Sequence, residues 1–183
     1  NKQLKIFLNK KNFILIKNKS NKGQSFSLNI GYENARSETI VTLDGDGQND
    51  PKDIPKLVDI YFSSDVKLVS GIRVKRNDSF TKIISSKIAN FIRDLFLKDG
   101  CPDTGCGLKV MNRKILKEFK YFNGIHRFYP SLFVGHGYKC SYHPVNHRKR
   151  TFGKSKYNNL DRAIRGIRDL FKVYKYINKI KYD

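Results

Sequence analysis

The sequence predicts an α/β domain whose sheet is mainly parallel and flanked by helices. Short β-rich apolar runs alternate with longer segments of helical periodicity, the pattern of strand–helix units. One apolar run ends directly on two carboxylates, Asp44 and Asp46, as strands of open α/β sheets end at ligand sites. With 183 residues, 39% of them hydrophobic, the chain can form one domain with a sizeable core. No apolar run approaches the about 20 residues of a spanning helix.

The first half of the chain shows the alternation clearly. Residues 13–16 predict a strand and residues 25–36 a helix, and together with the next strand they make a strand–helix–strand unit. That next strand contains Ile40, Val41 and Leu43 and is expected to be buried in the sheet. Residues 51–62 predict a helix with a proline-rich start, and residues 66–71 predict another strand.

The second half predicts four further elements. Residues 80–95 carry a strong amphipathic helical pattern that ends near Gly100. Residues 111–119 predict a short helix, and residues 138–145 predict a strand. Residues 158–183 predict a basic amphipathic helix, since apolar side chains recur at helical spacing and cations line another face.

Asp44 and Asp46 have the chemistry of a metal site. Hard divalent cations such as Mg²⁺ or Mn²⁺ prefer carboxylate oxygens and often keep positions for water and substrate phosphates. An ordinary Asp/Gly/Asn turn is the first alternative. A calcium loop is a weaker alternative, because Asn49 stands where that loop needs Gly and Pro55 where it needs Glu.

The net charge of +21 calls for an anionic partner. Nucleic acid, an acidic membrane surface and phosphorylated small molecules all qualify. From Arg148 to Asp183 there are twelve Lys or Arg against three Asp, a net charge of +9. The three cysteines show no zinc-type spacing, so we expect reduced thiols, although Cys101 and Cys106 could form a disulfide.

Two loops have a composition that suits phosphate binding. Residues 147–157 combine cations, hydroxyls and a glycine, although a solvated basic loop is the simpler interpretation. Residues 103–107, D-T-G-C-G, have glycines that permit close approach of the backbone to a ligand. An ordinary connecting turn is the alternative for the second loop.

Three motifs in order give a more specific indication: L-D-G-D-G-Q-N-D-P-x-D-I-P, D-T-G-C-G-L-K and H-x-x-R-x-x-G-x-S-K-Y. In this order they resemble the family-two, GT-A-type glycosyltransferases, in particular the dolichol- or polyprenyl-phosphate mannosyl- and glucosyltransferases. The resemblance runs from about Phe13 to the end and includes N-K-G-Q-S at residues 21–25. It implies inverting, metal-assisted transfer of a hexose from a GDP- or UDP-linked sugar to a polyprenyl-phosphate lipid, with Mg²⁺ or Mn²⁺ as cofactor.

The resemblance also implies roles for individual residues. Asp44, Asp46 and Gln48 fall on the metal and nucleotide-sugar positions, with Asp46 counted as catalytic. Asp103 is the second catalytic candidate, which we expect to position the acceptor rather than to deprotonate it. The residues implied to contact acceptor or donor phosphates are Arg73, Lys82, Ser86, Arg150, Ser155 and Lys156. Lys82 stands where the family commonly has Arg.

The resemblance suggests a division of the chain and a location. Residues 1–157 would be the catalytic domain, and residues 158–183 a helix in the interface of an anionic membrane. We therefore expect a protein peripheral to the cytoplasmic face of a membrane. The alternative for the helix is that its apolar stripe packs on the domain itself.

One departure from the family bears on activity. The family's first strand, with a P-x-Y-N-E-like sequence, and its second strand, ending in D-D-G-S-like residues, have no counterpart here. We therefore expect residues 1–183 alone to be inactive. The alternative functions are a basic nucleic-acid-binding module, which binds in a salt-sensitive way, and a non-catalytic transferase-like subunit. A transferase is not expected to bind nucleic acid.

Overall fold

The computed structural model describes residues 10–74, 80–148 and 159–182, with the side chains of 84–148 and 165–179 in the last two ranges. A four-stranded sheet flanked by helices lies at its centre, so the predicted α/β class is confirmed. The strands are β1 (Thr39–Thr42), β2 (Leu68–Val74), β3 (Lys109–Asn112) and β4 (Cys140–Asn146). Their order across the sheet is β1-β3-β2-β4.

The helices fall close to their predicted positions, with α5 added. They are α1 (Gln24–Asn34), α2 (Ile54–Ser63), α3 (Phe80–Leu97), α4 (Arg113–Glu118), α5 (Tyr129–Gly135) and α6 (Asn159–Tyr182). A 3₁₀ turn at Pro51–Asp53 precedes α2 and another at Ile125–Arg127 precedes α5. Asp50 begins the first turn, since its side chain accepts from the backbone N–H of Lys52.

The described sheet is mixed, which corrects the expectation of a mainly parallel one. β2 and β4 are parallel, with Leu68 opposite Cys140. β3 is antiparallel to both β1 and β2. Therefore β1, β2 and β4 all run in one direction, and β3 alone runs against them.

Three predicted elements were wrong in detail. Residues 109–112 form β3, and only from Arg113 does the predicted 111–119 segment become helical; Asn112 accepts from the Ile115 N–H and starts the helix. Residues 13–16 form no strand, because no neighbour pairs with them in the described part of the chain. β1 ends at Thr42 and only Ile40 of the three predicted core residues is buried, because it points into the larger core; Val41, on the opposite face, and Leu43, beyond the end of the strand, are exposed.

Both faces of the sheet are covered. Leu68 and Val69 are adjacent in β2 and point to opposite faces, as successive strand residues must. Leu68 belongs to the larger core cluster, which α4, α5 and α6 cover, and Val69 belongs to a smaller cluster beneath α2. The sheet is therefore packed on both faces.

The described part of α6 packs on the larger core. Leu170, Val173 and Ile177 are buried there, and Gly135 of α5 leaves room for Ile177, whose side chain would lie 2.7 Å from an added Cβ. Ile167, Phe171 and Tyr174 remain exposed. In the ranges that the structure covers, no helix combines the length and hydropathy needed to cross a bilayer.

Candidate active site

Four segments meet at one edge of the sheet. Because β3 runs against its neighbours, the loop that precedes it lies beside the ends of the other strands. Carboxyl ends of parallel strands are where open α/β sheets bind ligands. The four segments are residues 43–50 after β1, the end of β2 at Arg73, the loop 99–108 before β3, and residues 147–148 after β4.

Asp44 follows β1 and is held by three neighbours. Its Oδ1 accepts from Gln24 Nε2 at 3.0 Å, and its backbone N–H donates to Asn49 Oδ1 at 3.2 Å. Gly107 lies so close that an added Cβ would collide with the carboxylate. Thr42 Oγ1 donates to the Gly107 carbonyl at 2.7 Å and fixes this loop. Gly107 therefore permits close approach of the backbone to the side chain of Asp44.

The second carboxylate, Asp46, is connected to the beginning of the basic segment. Asp46 Oδ1 accepts from the backbone N–H of Gln48 at 3.1 Å. Gln48 Nε2 lies 3.2 Å from His147 Nε2, and the Gln48 carbonyl accepts from the Arg148 N–H at 2.8 Å. Asn49 and His147 also form an antiparallel β-bridge. Residues 43–50, the carboxylate loop, are therefore joined to residues 147–148 by hydrogen bonds.

The carboxylate of Asp44 lies in an environment that opposes its charge. Burial raises the pKa of Asp44, and the nearby charge of Asp46 raises it further. Lys109, Arg73 and His147 lower the pKa of Asp44 without cancelling the rise. A bound divalent cation would stabilise the ionised form.

These residues fit a magnesium- or manganese-type cation. The described residues contain no cluster of three or more His, Cys, Asp or Glu. Mg²⁺, however, is commonly bound by one or two carboxylates, with water and substrate phosphates as the other ligands. Asp44 and Asp46 supply the two carboxylates, and the backbone N–H of Gln48 donates to Asp46.

Arg73 and Asp103 form a buried ion pair at the same edge. Arg73 Nε donates to Oδ2 of Asp103 at 2.7 Å, and Nη2 donates to Oδ1 at 2.8 Å. The backbone N–H of Arg73 also donates to Oδ2 at 3.1 Å. Gly105 must remain glycine-sized, since an added Cβ would lie 2.7 Å from Arg73 Nη2. Asp103 therefore fixes the direction of the guanidinium.

The remaining predicted residues are only partly described. Ser86 lies in α3, one turn before Asn90, whose side chain meets the loop before β3. Lys82 belongs to the same helix, but its side chain lies outside the described residues. Residues 149–158 are also outside them, so the roles of Arg150, Ser155 and Lys156 stay predictions.

Three residues of the site were missing from the predicted set. Gln24 belongs to the N-K-G-Q-S segment, His147 begins the H-x-x-R motif, and Lys109 ends D-T-G-C-G-L-K. Lys109 is buried and its Nζ donates to the Cys106 carbonyl. Each of the three residues lies within one of the quoted motifs, and this position was the feature of the sequence that could have identified it. The contact between Gln24 and Asp44 could not be inferred from their separation in the chain.

The three cysteines are free thiols, as expected, and Cys101 and Cys106 are not bridged. Burial raises the pKa of Cys101 to about 12 and also raises that of Cys106. A thiolate is therefore disfavoured at both positions near neutral pH, which indicates packing rather than nucleophilic roles.

Comparison with solved structures identifies the class of fold. The chain is similar to glucosyl-3-phosphoglycerate synthase from Mycobacterium tuberculosis in complex with Mn²⁺, UDP and glucosyl-3-phosphoglycerate, with a TM-score of 0.57 and 14% identity. The match covers 90% of this chain and 56% of that one. The complex with UDP-glucose, Mn²⁺ and phosphoglyceric acid gives a TM-score of 0.55 at 15% identity, with the same coverage. The fold is that of GT-A-type transferases.

The family follows from sequence. A model of glycosyl transferase family 2 matches residues 2–120, and the chain belongs to this family. It is 36% identical over 156 residues to dodecaprenyl-phosphate galacturonate synthase of Rhizobium johnstonii, covering 84% of this chain and 46% of that protein. It is 31% identical over 150 residues to undecaprenyl-phosphate 4-deoxy-4-formamido-L-arabinose transferase of Pectobacterium carotovorum, covering 82% and 46%. The chain thus spans about half the length of these relatives.

Proposed function

We propose that the complete protein transfers a sugar from a nucleotide sugar to a polyprenyl phosphate. The observation that carries this proposal is the meeting of Asp44 and Asp46 with Arg73 at one sheet edge, near enough for Arg73 to act on the pKa of Asp44. Two relatives, named for dodecaprenyl and undecaprenyl phosphate, support the acceptor class. Their sugars, galacturonate and a 4-deoxy-4-formamido-arabinose, include one that is not a hexose. Hexose transfer therefore stays a narrower prediction.

On the donor side, Asp44 and Asp46 would hold Mg²⁺ or Mn²⁺, with Gln48 beside them. Such a cation neutralises the charge that develops on the diphosphate leaving group. Gln24 and Gly107 keep the carboxylate of Asp44 in position. The similar fold crystallised with Mn²⁺ and UDP supports a nucleotide sugar as donor.

On the acceptor side, Arg73 would bind the lipid phosphate, and Asp103 would hold the guanidinium toward it. A phosphate monoester has a second pKa of about 6 and is largely ionised at neutral pH. Its oxygen can therefore attack the anomeric carbon without a strong general base, while the bond to the nucleotide diphosphate breaks and the configuration inverts. Asp103 is accordingly a positioning residue in this scheme. Lys82 and Ser86 of α3 would add contacts on the same side.

The lipid would reach the site along an apolar face of α3 and α6. Phe96 of α3 packs edge-on against Phe171 and Tyr174 of α6, at 5.8 and 6.1 Å between ring centroids, so the two helices form one surface. Its most exposed members are Ile88, Phe91, Ile92, Leu95, Ile167 and Phe171. Helix α6 also carries exposed cations, which would bind anionic lipids: Arg168, Lys172 and Lys175. We propose that this face binds the cytoplasmic surface of a membrane.

The direct test is a transfer assay with the complete protein. Undecaprenyl phosphate, a panel of nucleotide sugars and Mn²⁺ should yield a glycosylated lipid phosphate, and undecaprenol, which lacks the phosphate, should not react. Chelation of the metal should abolish the reaction. Failure with every donor, together with salt-sensitive nucleic-acid binding that survives Asp44→Asn and Asp46→Asn, would favour the nucleic-acid-binding alternative.

A further inference from the structure

A buried polar network joins α3 to the loop that carries Asp103. Arg93 donates from Nε to Asp99 Oδ2 at 3.1 Å and from Nη2 to Asp99 Oδ1 at 3.0 Å. Asp99 also accepts from the hydroxyl of Ser131 and from the backbone N–H of Cys101. Arg93, Asp99 and Ser131 are all buried. Because buried charges must be paired to be tolerated, this network fixes one arrangement of the loop.

The network continues to both neighbours of Asp103. Asn90 Nδ2 donates to the carbonyl of Pro102 at 2.8 Å. Arg93 Nη1 donates to the hydroxyl of Thr104 at 3.1 Å and to Asn90 Oδ1 at 2.7 Å. The residues on either side of Asp103 are therefore both held by α3.

We infer that Asn90 and Arg93 are positioning residues for the acceptor side of the site. Through Pro102 and Thr104 they fix the backbone at Asp103, and Asp103 fixes the guanidinium of Arg73. This inference rests on the proposed function in one respect, namely that Arg73 binds the acceptor phosphate. The same helix presents the exposed apolar face, so α3 connects the lipid-facing surface to the phosphate-binding cation.

Loss of Asn90 should change the KM for the acceptor but not the KM for the donor. Asn90→Ala in the complete protein removes the bonds to Pro102, Arg93 and Thr104, while Arg93 stays paired with Asp99. We expect the KM for polyprenyl phosphate to rise about five- to tenfold, the effect of losing the hydrogen bond that holds Pro102 beside Asp103. The KM for the nucleotide sugar should stay unchanged, because in the described part of the chain the side-chain bonds of Asn90 go to Pro102, Arg93 and Thr104 and not to residues 43–50. A purely structural role would lower stability and affect both substrates alike.

A measurement independent of activity accompanies the kinetics. Hydrogen exchange in peptides covering residues 99–106 should be faster in Asn90→Ala by about five- to tenfold. Thr104→Val, which removes the bonds of the Thr104 hydroxyl with Arg93 and Asn90, should give the same change. The matched control is Asn34→Ala, because the Asn34 side chain donates to the Ile30 carbonyl within α1 and, among the described residues, is not bonded to the loop before β3.

The two results separate failure of the inference from failure of the proposed function. Unchanged exchange in residues 99–106 of Asn90→Ala would overturn the inference, as would an equal change in both KM values. An inactive wild-type protein would contradict the proposed function alone, since faster exchange in Asn90→Ala would still establish that α3 positions Asp103.

Discussion

Arg73 and Asp103, thirty residues apart, are joined by three hydrogen bonds of 2.7 to 3.1 Å, two from the guanidinium and one from the Arg73 backbone. Both side chains are largely buried, at 15% and 7% exposure. The pair connects the end of β2 with the loop before β3, and so joins the structural framework of the sheet to its candidate active site.

Asp103→Asn should therefore weaken both stability and transfer. Removing one partner of a buried ion pair leaves the other charge uncompensated, so we expect the free energy of unfolding of the chain to fall by about 3 kcal/mol. Denaturant unfolding measures this. Glu38→Gln is the control: it breaks the exposed pair with Lys114 and should change stability by less than about 1 kcal/mol. Equal losses in the two variants would contradict a special role for the buried pair.

Gly107→Ala should displace the carboxylate of Asp44. The added Cβ has no space between the loop and that side chain, so Mn²⁺ affinity of the complete protein, measured by calorimetry, should fall about tenfold or more, as when support for a metal ligand is lost. Gly31→Ala in α1 is the matched control, since nothing lies within 4 Å of its added Cβ. That change should stabilise the helix by about 0.5 to 1 kcal/mol and leave the Mn²⁺ affinity unchanged. Unaltered affinity in Gly107→Ala would refute the proposed place of Asp44.

Asp44→Asn should stabilise the metal-free chain at neutral pH. The folded state raises the pKa of Asp44 above its ordinary value of 3.8, so folding binds this proton more tightly and stability falls as pH rises through the raised pKa. The substitution removes that penalty. Thermal melts at pH 7 should show a higher Tm for the variant, and the difference should shrink as pH falls below 3.8. A lower Tm at pH 7 would contradict the pKa direction.

Phe91→Asp should weaken membrane binding. Phe91 is 71% exposed on the apolar face of α3 and α6, where a carboxylate would oppose both apolar insertion and anionic lipids. Co-sedimentation of the complete protein with vesicles containing phosphatidylglycerol measures this, with an expected loss of about tenfold. The control is Phe62→Asp on α2, which covers the other face of the sheet and is 69% exposed at this position. Equal loss in both variants would mean that this face is not the contact.

Local periodicity predicted most of the helices and strands but not how the strands pair. α3 and α6 have long amphipathic patterns, so their existence and limits followed from the sequence. β3 did not, because a four-residue segment with only two apolar residues, K-V-M-N, is too short to show a period. The antiparallel direction of β3 could not be predicted for the same reason. This direction brings the loop that contains Asp103 to the ends of β1 and β2.

Motifs predicted the chemistry of the candidate site better than its contacts. Asp44 and Asp46 were recognisable from a strand followed by carboxylates. The pairing of Arg73 with Asp103, and the approach of Gln24 to Asp44, depend on which strands are neighbours. The residues of α3 that hold the loop, Asn90 and Arg93, looked like ordinary polar positions of an amphipathic helix.

The central claim is that Asp46 supports metal-dependent sugar transfer to a lipid phosphate. Its most direct test is the rate of Mn²⁺-dependent glycosylation of undecaprenyl phosphate by the complete protein carrying Asp46→Asn, beside Asp59→Asn, which changes an exposed carboxylate on α2. We predict a fall of at least about 100-fold for Asp46→Asn, as for lost electrostatic stabilisation of a transition state, and no change for Asp59→Asn. A wild-type rate in Asp46→Asn would contradict the account.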